Sequence, residues 1–155
     1  MIDETHDDVY VMNTGPHNVT LKQWIACAPF EKLLGMDIVE SGGGKAILTM
    51  PFRYKLAQGL GLLHGGALFS LADTAVVMAM KSLLPDGTHF ATISAECTFL
   101  SAVTQGTVTA QAKVVKREGR LLYGNAIVFD TQGKQVFEFS SVFKIAREQR
   151  NSTGK

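Results

Sequence analysis

The chain has 155 residues, enough for one domain with a sizeable core, and 46% of them are hydrophobic. Fifteen Lys and Arg against fourteen Asp and Glu leave a net charge of +1. That balance excludes nucleic acid as a default partner, because phosphate neutralisation needs a surplus of clustered cations.

Residues 1–19 read as a polar, acidic lead-in without the basic-then-apolar pattern of a secretion signal. In "TLKQWIACAPFEKLLG" (20–35), Leu21, Trp24 and Ile25 recur at helical spacing behind Thr20 as a candidate N-cap. Pro29 is expected to end that first helix, and Phe30, Leu33 and Leu34 to add a turn before Gly35. Strands are predicted at 36–41 and 45–51 around the glycine turn 42–44, followed by a flexible loop at 56–63.

From Gly65 to about Leu84 the pattern is helical and apolar on nearly every face, so other structure must wrap this helix. His64, the glycine pair, Ser70, Asp73 and Thr74 interrupt it too often for a membrane span. Beyond "PDG" (85–87) everything reads as β: 88–103, 106–116, 120–130 and 134–146, separated by "TQG", "REG" and "TQG". These four strands are expected to form an antiparallel meander, and 147–155 a polar tail. The architecture is thus α+β, one domain over 1–155, an antiparallel sheet curled around one long central helix. Long strands with open edges predict side-by-side dimers. Cys27 and Cys97 lack CxxC spacing and are expected to be reduced packing residues, which fits a cytoplasmic setting.

The chemistry concentrates in "LLHGGALFSLADTAVVMAM" (62–80). Gly65 and Gly66 fall in the helix's first turn, where backbone N–H groups lack intrahelical acceptors and can polarise a carbonyl oxygen. The same pair also suits a tightly packed helix start. Asp73 is mid-helix; its neighbours Phe69, Ser70, Val76 and Val77 carry no cation, and Lys81 is two turns away. It faces either a wet edge, an interface, or a cleft where it serves as nucleophile or general base. His64 reads as a junction residue or a base, and Gln58 as a surface amide or a donor to a carbonyl or water. No HExxH, EF-hand, Walker or GxSxG pattern occurs, so no metal is expected. Phe69, Met78, Met80, Phe90 and Leu100 are core or the wall of an apolar pocket.

The stretch "QGLGLLHGGALFSLADTA", continued by "CTFLSAVTQGTVTAQAKVVKREGRLLYGNAIVFDTQGK", resembles the hotdog-fold acyl-CoA thioesterases of the phenylacetate-pathway and 4-hydroxybenzoyl-CoA types. The resemblance covers about residues 30–146. It implies a hotdog fold, an acyl-CoA substrate with no cofactor beyond the substrate's own coenzyme A, and homodimers with shared sites that usually pair into homotetramers. Carried over by position, Asp73 matches the catalytic carboxylate, and Gly65 the residue whose N–H polarises the thioester carbonyl. Gln58 matches the amide that places substrate or water. His64 matches the junction histidine, with Gly66 beside it, and Thr92 the strand hydroxyl that assists the water in one branch. Arg117 and Arg120, in the basic hairpin from Lys116 to Arg120, are candidates for coenzyme A phosphates. The usual Phe-Leu-Arg-Pro strand end is Phe99-Leu100-Ser101-Ala102 here, and Val77 stands where another branch has Thr. A hotdog hydratase or dehydratase using His64, and a non-catalytic acyl-CoA binding module, are the competing readings.

Overall fold

A computed structural model describes residues 14–148; the first thirteen residues of the lead-in and the tail from 149 onward lie outside the described residues. The elements run α1 (Pro29–Leu34), β1 (Asp37–Gly42), β2 (Lys45–Pro51), a single 3-10 turn at Tyr54–Leu56, α2 (Gly65–Lys81), β3 (Phe90–Phe99), β4 (Thr107–Glu118), β5 (Leu121–Phe129) and β6 (Gln135–Ile145). All six strands form one antiparallel sheet in the order β1-β2-β4-β5-β6-β3. It curls around α2, which packs against β2, β4, β5 and β6.

The wrapped helix is explained by its side chains. Ala67, Leu68, Leu71, Ala72, Ala75, Val76, Met78, Ala79 and Met80 are all buried, so every turn offers apolar surface to the sheet. Small residues let the layers close. Ala46, Ala112 and Ala126 sit in one row across β2, β4 and β5. At Gly124 a Cβ would collide with the Val76 side chain, so only glycine admits the helix there. Alternation along the strands supplies the rest of the core, with Leu48, Met50, Val108, Ala110, Leu122, Val128, Phe137, Phe139 and Phe143 pointing inward. Met78 and Met80 are therefore core, not pocket wall.

Three local expectations change. The stretch 20–28 is not helical; Pro29 opens α1 at its first position instead of ending an earlier helix, because its missing N–H and fixed φ suit that position. The last four strands are not a simple meander. β4, β5 and β6 are consecutive hairpin neighbours, but β3 lies beyond β6 at the sheet edge. The first "TQG" is therefore part of a crossing segment: Leu100 N–H bonds Val136 O, Val103 O accepts from Leu63, and Gly106 O accepts from Phe52. Third, the loop at 56–63 is a closed and bonded turn, with Ala57 bridged to Leu63 and Gln58 N–H on Leu62 O. Both cysteines are free, and Cys97 is exposed on β3 rather than packed. Among the described residues no helix is long and apolar enough to cross a membrane.

Candidate functional site

The crossing segment and the closed turn fix where α2 begins. His64 N–H bonds Leu56 O, and its backbone is extended at φ −62° and ψ 132°. Its ring caps the helix: Nδ1 accepts the Gly66 N–H at 2.8 Å, which leaves the ring proton on Nε2. His64 O accepts the N–H of Ala67 at 2.9 Å and of Leu68 at 3.4 Å. Of the four N–H groups at this helix start, only that of Gly65 has no acceptor among the described residues. The Gly66 N–H, a second candidate donor in the sequence, is taken by His64. Gly65 also meets the edge strand: a Cβ there would stand 2.6 Å from Phe99 Cε1. Gln58 Oε1 accepts the Leu60 N–H, so its NH2 group remains free to donate outward.

Asp73 sits where the sheet leaves α2 uncovered. Gly66 is exposed, and Ser70, Asp73, Val77 and Lys81 are half-buried; these positions recur at helical spacing and form one stripe between buried faces. The stripe runs along β3. Thr92 Oγ1 donates to Asp73 Oδ1 at 3.2 Å. Burial raises the Asp73 pKa above the usual carboxylate range; the Thr92 hydrogen bond opposes this, and Glu31 adds a smaller push upward. The carboxylate is thus partly desolvated, with no cation bonded to it among the described residues, the state in which a carboxylate is a better base.

The structure gathers the predicted residues into two groups. Gln58, His64, Gly65 and Gly66 stand at the helix start beside Phe99, whereas Asp73 and Thr92 meet near the other end of β3. Eight residues of helix separate Gly65 from Asp73, about 12 Å along the axis. Arg117, Leu122, Phe143 and Thr92 share one row across β4, β5, β6 and β3. The basic hairpin therefore lies at the Asp73 end, three strands and about 14 Å from Thr92. Its cations are engaged locally: Arg117 Nε donates to Gly119 O at 3.0 Å, Arg120 Nη1 donates to Ile145 O at 3.0 Å, and Lys116 pairs with Glu118.

Two clefts border these elements. The larger, about 630 Å3, lies against the sheet between Lys45, Gln111, Asn125 and Glu138 and contains none of the groups above. Size alone does not choose the site. The smaller, about 330 Å3, is lined by Thr92, Val77, Phe90, Phe143, Trp24 and Lys81, and reaches Asp73 through Thr92, whose hydroxyl is bonded to that carboxylate. The sequence places Trp24 on an expected first helix and Lys81 two turns beyond Asp73; the structure brings both to this cleft. The spacing Asp73, Val77, Lys81 at i, i+4 and i+8 was the available signal that Lys81 shares the face of the carboxylate. Among the described residues no cluster of three or more His, Cys, Asp or Glu side chains gathers as a metal would need.

One helix clasped by a six-stranded antiparallel sheet, with its first turn and a half-buried acid along the open edge, defines a hotdog-fold protein. The Thioesterase superfamily family model matches residues 60–137, and the chain belongs to that family as a thioester hydrolase. A putative esterase of Bacillus subtilis is 31% identical over 105 residues, 66% of this chain and 82% of that protein. The acyl-coenzyme A thioesterase PaaI of Escherichia coli is 40% identical over 92 residues, 57% of this chain and 60% of that one. A conserved Pseudomonas aeruginosa protein of known structure superposes with a TM-score of 0.76 at 28% identity, over 82% of this chain and 100% of that one.

Proposed function

We propose that the protein hydrolyses acyl-CoA thioesters at a site completed by a second copy of the chain, with Asp73 as the base and the Gly65 N–H as the carbonyl's hydrogen-bond donor. The observation that carries this reading is the half-buried Asp73, with no cation bonded to it among the described residues, on a stripe of α2 that the sheet leaves open. Water attacks the thioester carbonyl carbon as Asp73 takes its proton. The tetrahedral oxyanion collects on the Gly65 N–H, and collapse breaks the C–S bond. The departing sulfur takes the proton back from Asp73, giving a carboxylic acid and coenzyme A. Direct attack by Asp73, through an anhydride that water then opens, reaches the same products. Gln58 orients the carbonyl or the water through its free NH2 group. Arg117 and Arg120 stand ready for coenzyme A phosphates if their local bonds yield.

The second copy is needed because one chain holds Asp73 and Gly65 about 12 Å apart. β3 is a ten-residue edge strand with exposed Ile93 and Phe99, and its outer row of backbone groups is unpaired among the described residues. Antiparallel pairing of β3 with its copy, about a two-fold axis near Ala95 and Glu96, sets Thr92 opposite Phe99 of the partner subunit. Asp73 then faces the helix start of the partner, because Gly65 packs on Phe99.

Release of free thiol from a panel of aryl and aliphatic acyl-CoAs tests the activity; tight binding of the panel without turnover would favour the non-catalytic module. The hydratase reading is weakened by His64 itself, whose Nδ1 is occupied as a cap, and no enoyl-CoA hydration is expected.

Two variants separate the role of the Gly65 N–H from sterics. Proline is accepted at the first position of a helix, and His64 already has the extended backbone that a following proline requires. Gly65→Pro and Gly65→Ala both place a Cβ against Phe99, but only proline deletes the N–H. Gly65→Pro is expected to lower kcat about a hundredfold below Gly65→Ala, the loss typical of one oxyanion donor. Equal losses would remove the N–H from the mechanism. Thr92→Val takes away the hydrogen bond that holds the Asp73 pKa down, so the acid limb of kcat/KM should move to higher pH. An acid limb that stays in place would mean Asp73 is not the group titrating there.

A further inference from the structure

We propose that Lys81 selects the acyl group: the preferred substrate carries an oxygen anion, a carboxylate above all, at the far end of its acyl chain, and the Lys81 ammonium receives it in the smaller cleft. The inference rests on the catalytic reading of Asp73. Asp73, Val77 and Lys81 follow one another along one face of α2, with about 12 Å of helix axis between the first and the last. An acyl chain leaving a thioester at Asp73 therefore passes Val77, runs along the packed pair Phe90 and Phe143, and arrives at Lys81. At about 330 Å3 the cleft is at the small end of ligand sites, suited to one ring or a short chain and not to a coenzyme A arm.

The far end is latched. Trp24 Nε1 donates to Lys81 O at 3.0 Å, and Lys81 Nζ donates to Trp24 O at 2.9 Å while lying 4.6 Å from the indole centroid. That carbonyl uses one of the three ammonium N–H donors and leaves two. Among the described residues no carboxylate forms an ion pair with Lys81. Burial holds its pKa below the usual lysine range, with Glu31 opposing weakly. A cation half-withdrawn from water into a wall of Trp24, Phe90 and Phe143 is unfavourable without an anion to complete it. At the end of the cleft away from Asp73, the substrate is the source of that anion. His89 at the same rim adds a second polar ring that can face it.

The test compares kcat/KM for two pairs of esters matched in shape, adipyl-CoA with hexanoyl-CoA and para-carboxybenzoyl-CoA with para-methylbenzoyl-CoA. Wild type, Lys81→Met and Lys81→Arg are each measured. Wild type is expected to favour the acid-ended member of at least one pair by about tenfold or more, the worth of a charge-assisted hydrogen bond. Lys81→Met should bring that ratio close to one, and Lys81→Arg should keep most of it. Calorimetric binding of the non-hydrolysable thioether analogues should give the same order. Indifference of the wild type in both pairs overturns the proposal even while hydrolysis proceeds. So does an equal loss on both members in Lys81→Met, which marks Lys81 as a strut for Trp24. If no ester is hydrolysed but the acid-ended thioether still binds better, selection by Lys81 stands and the catalytic reading falls.

Discussion

Asp73→Asn is expected to lower kcat about a thousandfold, within the range for loss of a positioned general base, while the protein still folds and assembles. The amide keeps the size of the carboxylate and still accepts the Thr92 hydroxyl at the same place, so the fold has no reason to move. It cannot take a proton from water or attack a carbonyl. The same substitution should raise the melting temperature at neutral pH by about two degrees. Burial raises the folded-state pKa of Asp73, so its ionised form is less favourable in the folded chain than in the unfolded one. The stability linked to this group is complete below the ordinary aspartate pKa of about 3.9 and is lost as pH rises through the higher folded value. The gain from Asp73→Asn should accordingly shrink as pH is lowered toward about 4 and be full at pH 7. A variant that is as active as wild type would end the assignment of Asp73. One that is inactive but less stable at neutral pH would mean the carboxylate has a structural partner that the isolated chain does not show. Activity held by a group that destabilises its own fold is a known signature of functional sites.

Most of this was legible in the sequence because it is local. The run from His64 to Met80 carries its helical period, its capping junction and its one acid within five turns, and the structure keeps all three. The strands were legible from alternation, as Val108, Ala110 and Ala112 show. What escaped was pairing between distant segments. "TQG" at 104–106 has the composition of the true turn at 131–133, yet it crosses the sheet, since the free edge of β6 offers β3 a ladder from Phe90 to Phe99. Trp24 departs from its expected helix for the same reason. Its spacing suits a helix, but its indole is held by the last turn of α2, fifty-seven residues away. Thr92 was found only through resemblance to a family; its hydrogen bond to Asp73 depends on where β3 lies, which no local pattern gives.

Mixing two inactive variants should restore activity if each site draws Asp73 from one subunit and Gly65 from the other. In a homodimer of Asp73→Asn both sites lack the base, and in a homodimer of Gly65→Pro both lack the N–H donor. A heterodimer places both defects in one site and leaves the second intact, because the two-fold axis exchanges the contributions. Random assortment from equal amounts makes about half of the dimers mixed, each with one good site of two, so the mixture should reach about a quarter of wild-type activity. Against a thousandfold loss in one parent and a hundredfold loss in the other, that recovery is large. Co-expression with two different affinity tags and purification through both isolates the mixed species, which should show about half of wild-type turnover. Activity no greater than the average of the two parents would place Asp73 and Gly65 in the same chain's site, and with it withdraw the two-fold pairing of β3. The geometry argues for recovery: the helix holds the two groups about 12 Å apart in one chain. The proposed pairing across the edge strand would set Phe99, and the Gly65 that packs on it, opposite Thr92 and its Asp73.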